Sequence, residues 1–251
     1  MNLATDTILI TGGGTGIGRA FAEALHAKGA KVIVAGRRAE VLAEVVAANP
    51  GMAYEVLDVA DPAAITAFAA KVIAGHPDLN AVVSNAGIMK RESLSDAFDL
   101  SIVDDIVSTN LLGTIRLAAA FLPHLLTKPA ATFVTVSSGL AFVPMAATPT
   151  YSATKAAIHS WSQSLRAQLA GTSVKVVEWA PPAVATDLMP GQAQNPNAMP
   201  LADFIAESVA LFEACHEEIL VERVKFLHGA LATGTYDQVF ARMNGTQSRF
   251  P

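Results

Sequence analysis

Short continuous apolar runs alternate with stretches whose apolar positions recur at helical spacing, and this alternation predicts the elements. TILIT (7–11) has the unbroken apolar character of a strand covered on both faces, and FAEALHAKG then shows helical periodicity that stops at Gly29. KVIVA (31–35), a helix at about 38–48, AYEVLDV (53–59), a helix at about 62–74 and AVVSN (81–85) continue the series. A long helix at about 100–126, TFVTVSS (132–138), a helix carrying YSATK to about 170, and VKVVEWA (174–180) follow. Beyond them come a Pro-rich loop (181–200), a helix at about 201–216, a short strand EILV (218–221) and a last helix starting near Val224. Strands that alternate with helices imply parallel crossovers, and no linker, charge run or repeat interrupts them. The expectation is one doubly wound α/β domain over residues 1–251, with a mostly parallel sheet of about seven strands and helices on both faces.

Composition narrows the class. Of 251 residues 52% are hydrophobic and only 16% charged, which fits a sheet covered on both sides and a buried subunit interface. Mean hydropathy is +0.40. The longest apolar candidate, LLGTIRLAAAFLPHLL, carries Arg116, Pro123 and His124, so no membrane span is expected. Asp6 precedes the short run Ile8 to Ile10, unlike a secretory signal, and a cytoplasmic location is expected. One cysteine, Cys215, excludes an intrachain disulfide and is expected as a buried small residue on a helix. His26, His76, His124, His216 and His228 lack metal-ligand spacing, so no metal is expected, and His159 reads as a helix-surface or interface residue. A net charge of −5 without a basic block argues against nucleic acid.

GGGTGIG joins the first strand to the first helix. A turn of this kind lets bare backbone approach a pyrophosphate and aims the helix N-terminus at it, a task for Gly12, Gly16 and Gly18 with Gly14, Thr15 and Ile17 between them. Asp58, followed by Val59, ends the third strand and suits an adenine amino group, or else serves as an acid at a helix start. Asn85, Ala86 and Gly87 end the fourth strand beside the same cleft. The second strand ends AGRR. Gly36 leaves no carboxylate to repel a ribose phosphate, and Arg37 offers a planar fork suited to it, so NADP is expected, with NAD as the alternative. Arg38 is a second donor or a solvated residue at a helix start.

Tyr151 and Lys155 lie one helical turn apart in YSATK, thirteen residues beyond Ser138. A cation fixed beside a phenol favours the phenolate, so Lys155 is expected to lower the Tyr151 pKa from its usual value near 10. Ser137 adjoins Ser138 and is the alternative hydroxyl.

In order and spacing these residues resemble the short-chain dehydrogenase/reductase family over nearly the whole chain. TGGGTGIG is similar to its TGxxxGxG turn, SNAG to its NNAG element, Asn110 to its active-site asparagine, and Ser138, Tyr151 and Lys155 to its catalytic set. The stretch SSGLAFVPMAATPTYSATKAAIHS most resembles the DltE-type bacterial oxidoreductases. The resemblance implies a Rossmann domain in which hydride passes to or from nicotinamide C4 while Tyr151 exchanges a proton with a carbonyl or alcohol oxygen. It also implies that Ser138 bonds that oxygen, that Lys155 holds the nicotinamide ribose beside Tyr151, and that Asn110 holds a water leading from Lys155 to solvent. Pro181, Val184 and Thr186 occupy positions that bind the nicotinamide carboxamide and phosphate in the family. Two departures stand out: Pro182 replaces the usual glycine after the sixth strand, giving a stiffer or rerouted loop, and Ser84 replaces the first Asn of NNAG. A substrate loop and helix are expected at 182–217. Leu140, Phe142, Val143 and Met145 with Leu188, Met189 and Met199 form either a wall for an apolar substrate or ordinary packing. The family habit further implies a homodimer or homotetramer built on the helices at about 100–126 and 151–170. A nucleotide-binding sensor without turnover is the competing function.

Overall fold

The computed structural model describes residues 1–94 and 99–245; residues 95–98, and the last six of the expected domain, lie outside them. Seven strands form a single sheet: β1 (Thr7–Thr11), β2 (Lys31–Gly36), β3 (Ala53–Val56), β4 (Leu79–Ser84), β5 (Ala131–Val136), β6 (Val174–Trp179) and β7 (Glu218–Ile219). Their order is β3-β2-β1-β4-β5-β6-β7 and every pairing is parallel. β1 and β5 are buried along their whole length, which is why their sequences run apolar without alternation.

Helices cover both faces. The chain winds outward through α1 (Gly16–Ala27), α2 (Ala39–Ala48) and α3 (Pro62–Gly75), then returns to lay β4 on the other side of β1. That reversal opens a crevice at the carboxyl ends of β1 and β4, where the glycine turn and Asn85 both emerge. α4 (Leu100–Ile106), α5 (Gly113–Leu125), α6 (Pro149–Gln168), α7 (Leu201–Glu213), α8 (Glu222–His228) and α9 (Tyr236–Asn244) complete the described helices. On one face Trp179 anchors the core: Phe204 stacks on it at 5.4 Å, Phe21 tilts against it at 4.6 Å, and its indole N–H donates to Ser208 Oγ at 3.1 Å. On the other face Phe68 of α3 meets Phe121 of α5 edge-on at 6.1 Å.

Several expectations are corrected. β3 ends at Val56, so Leu57, Asp58 and Val59 belong to a loop, and only the bond from Leu57 N–H to Gly36 O at 2.9 Å prolongs the pairing. The expected helix at about 100–126 is continuous but not regular: between α4 and α5 it widens into a π-helical stretch, Val107–Leu112. By length and apolarity Leu100–Leu125 would pass as a membrane span, with a mean hydropathy of 1.4, yet Leu117, Ala118, Phe121 and Leu125 are buried in the core. α7 stops at Glu213, and Cys215 is exposed with φ +59 beyond the helix, the opposite of a buried helical residue. β7 has two residues rather than four, and two helices follow it where one was expected.

Candidate active site

The cradle at the end of β1 is built by hydrogen bonds the motif alone does not reveal. Thr11 Oγ1 accepts the backbone N–H groups of Asn85 at 3.1 Å and Ala86 at 3.2 Å, and Asn85 Nδ2 donates to Thr11 O at 2.9 Å. These bonds clamp the ends of β1 and β4 so closely that side chains are excluded between them. A Cβ on Gly12, whose φ is +69, would stand 2.9 Å from Ala86 Cα, and one on Gly18 would stand 2.4 Å from Gly12 O. Thr15 caps α1 in extended conformation but makes no side-chain capping bond, so the first N–H groups of the helix remain for an anion. Gly14 and Ile17 complete the turn, and the Thr186 side chain stands 3.6 Å from the place of a Gly16 Cβ.

From this turn a cleft runs to the end of β2. Gly12, Gly14, Thr15, Arg37, Arg38, Asp58, Val59, Ala86 and Gly87 all line it, together with Leu42, Ile88 and Thr109, which sequence reading missed. Gly16, Ile17, Gly18 and Asn85 shape the turn without lining the cleft itself. Gly36 ends β2 with no carboxylate, and among the described residues neither Arg37 nor Arg38 forms an ion pair. Asp58 is no helix cap: its carboxylate accepts from Ala60 N–H at 3.0 Å, while Asp61 caps α3 by accepting from Ala63 and Ala64. The loop is held from below, because a Cβ on Gly113 would lie 3.0 Å from Val59 O and Arg116 donates to Ala60 O at 3.2 Å. A glycine-lined turn, an uncapped helix start and two unpaired guanidinium groups fit a phosphorylated dinucleotide.

Ser138, Tyr151, Lys155 and Asn110 lie outside that cleft lining, along β5 and the helices beside it. Asn110 is buried in the π-helical stretch, where its side-chain oxygen accepts from Ile88 N–H at 2.8 Å and its amide donates to Ile88 O at 2.9 Å. It therefore braces the segment after Gly87, and Thr114 Oγ1 donates to its main-chain carbonyl. The Ser84 hydroxyl also bonds Thr114, at 3.0 Å, so the change from Asn is accommodated in the core. Ser137 and Ser138 part company: Ser137 Oγ donates to Glu178 Oε1 at 2.5 Å, while Ser138 faces Tyr151. Tyr151 sits in the first turn of α6, and Lys155 Nζ donates to Val136 O at 2.7 Å, 5.5 Å from the tyrosine ring centre.

The electrostatics correct the expectation for this pair. Burial pushes the Tyr151 phenol up to about 12, and the Ser138 hydroxyl is the group that opposes it. Burial likewise brings the Lys155 ammonium down to about 8, against the attraction of Glu178. Desolvation is therefore the larger effect on the phenol, although the Lys155 ammonium is still present at neutral pH.

The loop after β6 starts from a fixed point: Gly139 N–H donates to Pro181 O at 2.9 Å, tying Pro181 to the turn that Ser138 begins. Val184 and Thr186 are buried, and bonds of 2.8 Å between Met199 and both Ala183 and Ala185 close the loop on itself. Val143 and Met199 are core residues and Met189 is buried, so these three are packing rather than an open wall. Phe142 is wedged between the rings of His159 and His228, with centroids at 5.0 and 4.7 Å. His159 is half-buried at the edge of the helix surface, with its Nδ1 2.8 Å from Glu178 Oε2. The one legible signal was Glu178, an acid inside the apolar run VKVVEWA.

The family described as short chain dehydrogenase matches residues 6–197. The chain is 38% identical over 249 residues to the uncharacterised oxidoreductase DltE of Bacillus subtilis, covering 97% of this chain and 98% of that one. A short-chain dehydrogenase from Burkholderia cenocepacia, solved in complex with NADP, shares the fold with a TM-score of 0.84 at 24% identity, covering 97% and 99% of the two chains. A 3-oxoacyl (acyl-carrier-protein) reductase from Agrobacterium tumefaciens with NADP bound has a TM-score of 0.76 at 29% identity, covering 86% and 92%. The chain belongs to the short-chain dehydrogenase/reductase family of NAD(P)-dependent oxidoreductases.

Proposed function

We propose that this protein transfers hydride between the nicotinamide of NADP and a carbonyl or alcohol carbon, with Tyr151 exchanging the accompanying proton. The observation that carries the reading is the joint placement of a protonated, buried Tyr151 facing Ser138, a buried Lys155 one turn away, and a phosphate-fitting cleft in the crevice beside them. The bound nicotinamide supplies or accepts the hydride. With its pKa near 12 the phenol keeps its proton at neutral pH, the form needed to donate to a carbonyl oxygen. Ser138 offers a hydroxyl to the same oxygen, and Lys155 holds the ribose and replenishes the tyrosine's proton. Asn110 serves as the brace of the Gly87–Ile88 backbone.

Arg37 and Arg38 support NADP, and the Agrobacterium relative binds it. Replacing both by Ala is expected to weaken NADPH binding by about 10- to 100-fold, the loss of one or two charge-assisted contacts, while NADH binding stays within about twofold. Isothermal titration with the two cofactors reads this; equal loss for both sinks the assignment. The fuller reading takes residues 1–251 as one catalytic unit, with 182–217 as the substrate segment, an apolar small-molecule carbonyl as substrate, a homodimer or homotetramer in solution and a cytoplasmic site of action. Oxidation of NADPH against a panel of aliphatic and aromatic ketones and aldehydes tests the function. Tight NADPH binding without turnover on any of them would favour the sensor.

A further inference from the structure

We propose that Glu178, held by Ser137 and His159 behind the catalytic pair, is a positioning residue that keeps Lys155 in its charged form. Glu178 lies on β6 with 1% of its surface exposed. A carboxylate so placed would ordinarily protonate or seek a cation, because desolvation disfavours its charge. Here two hydrogen-bond donors hold it in place. Ser137 Oγ donates to Oε1, and His159 Nδ1 lies 3.0 and 2.8 Å from the two carboxylate oxygens. Since a carboxylate only accepts, His159 Nδ1 carries a proton toward it, and His159 Nε2 lies 3.2 Å from the Gln163 amide. Ser137 and His159 thereby fix the carboxylate on β6, beside the β5 strand whose Val136 carbonyl holds Lys155.

The geometry makes Lys155 the natural beneficiary. His159 follows Lys155 by one turn of α6, so the two share a helix face, Lys155 reaching β5 at Val136 and His159 reaching β6 at Glu178, and Ser137 immediately precedes Ser138. Lys155 Nζ has only the Val136 carbonyl as a hydrogen-bond acceptor among the described residues, and a neutral carbonyl does not compensate a buried charge. Glu178 supplies the attraction that partly restores it. Glu218, its cross-strand partner on β7, lies with His159 and Glu178 in a cluster within 4.8 Å, and it pairs with His228 of α8 at 3.3 Å. Glu218 adds negative potential in the same direction.

The inference rests on the reading of Lys155 as part of the reactive set, but its test does not require turnover. In protein labelled with 13C-lysine, the Lys155 Cε resonance, assigned by its loss in Lys155→Met, is titrated without added nucleotide. Glu178→Gln is expected to move the Lys155 midpoint to lower pH by about one unit, the scale of a single opposite charge nearby. Glu178→Asp, which keeps the charge, is expected to leave it within about 0.3 units. The alkaline limb of the NADPH-dependent rate should shift with the midpoint. Should the Gln variant fail to fold, Glu178→Met gives the same comparison. A purely structural Glu178 would lower the melting temperature of the Gln variant and leave the midpoint where it was, overturning the proposal. It is equally overturned if dialysis against a chelator abolishes the difference, because a cation on His159, Glu178 and Glu218 would then be the source. If the midpoint shifts in a protein that reduces no carbonyl, the positioning role stands and the catalytic reading falls.

Discussion

Tyr151→Phe is expected to lower kcat by about 10³-fold or more on whichever carbonyl proves best, at the upper end of what a positioned proton donor contributes. The ring stays and only the hydroxyl goes, so the variant isolates proton transfer from packing. Tyr151 is 7% exposed, and among the described residues its hydroxyl has Ser138 as side-chain partner, so removing it costs about 1 kcal/mol of stability or less. NADPH affinity should stay within about threefold, because the phosphate cleft is lined by other residues. The outcome therefore separates kcat from both folding and cofactor binding. A variant retaining a tenth of wild-type turnover would remove Tyr151 from the mechanism. Since the phenol stays protonated to about pH 12, the wild-type rate of carbonyl reduction should not fall through Tyr151 ionisation below pH 10.

Much of this site was legible because its signals are local. The turn after TILIT shows itself by glycines that only close backbone contact requires, and the Tyr151–Lys155 pair by a spacing of one helical turn. The doubly covered parallel sheet followed from runs such as TFVTVSS, whose lack of alternation means cover on both faces. What escaped depends on contacts between distant segments. Asn110 bonds Ile88 across 22 residues, and the π-helical stretch that aims it has no periodicity of its own to read. Thr11 looked like the last residue of a strand, yet its hydroxyl holds the β4 end at Asn85 and Ala86. The tyrosine's pKa went the other way from expectation for a related reason: spacing fixes how far a charge stands from a phenol, but the depth of burial, which decides the sign here, is set by the whole fold.

Lys155→Met is expected to stabilise the protein at pH 7 while lowering turnover by about 10²-fold, because the residue holds a charge that folding alone would discard. Its ammonium titrates near 8 in the folded protein against an ordinary 10.5. Below pH 8 both folded and unfolded chains carry the proton, and the cost of burying the charge is present in full. Between 8 and 10.5 the unfolded chain holds the proton and the folded chain releases it, so wild-type stability rises with pH across that window. A depression of this size corresponds to roughly 3 kcal/mol, and losing the bond to Val136 O offsets about 1 kcal/mol of the gain. Lys155→Met should therefore be about 2 kcal/mol more stable than wild type at pH 7 and about 1 kcal/mol less stable near pH 10.5. The Tyr151 contribution is present in full below pH 10 and is lost between there and about 12; both proteins keep the phenol, so it does not distort the comparison. Urea unfolding of both proteins from pH 7 to 10.5 measures the crossing. Parallel curves across that range would mean that Lys155 is not held in the folded protein as a strained ammonium, and the site would have to work without one.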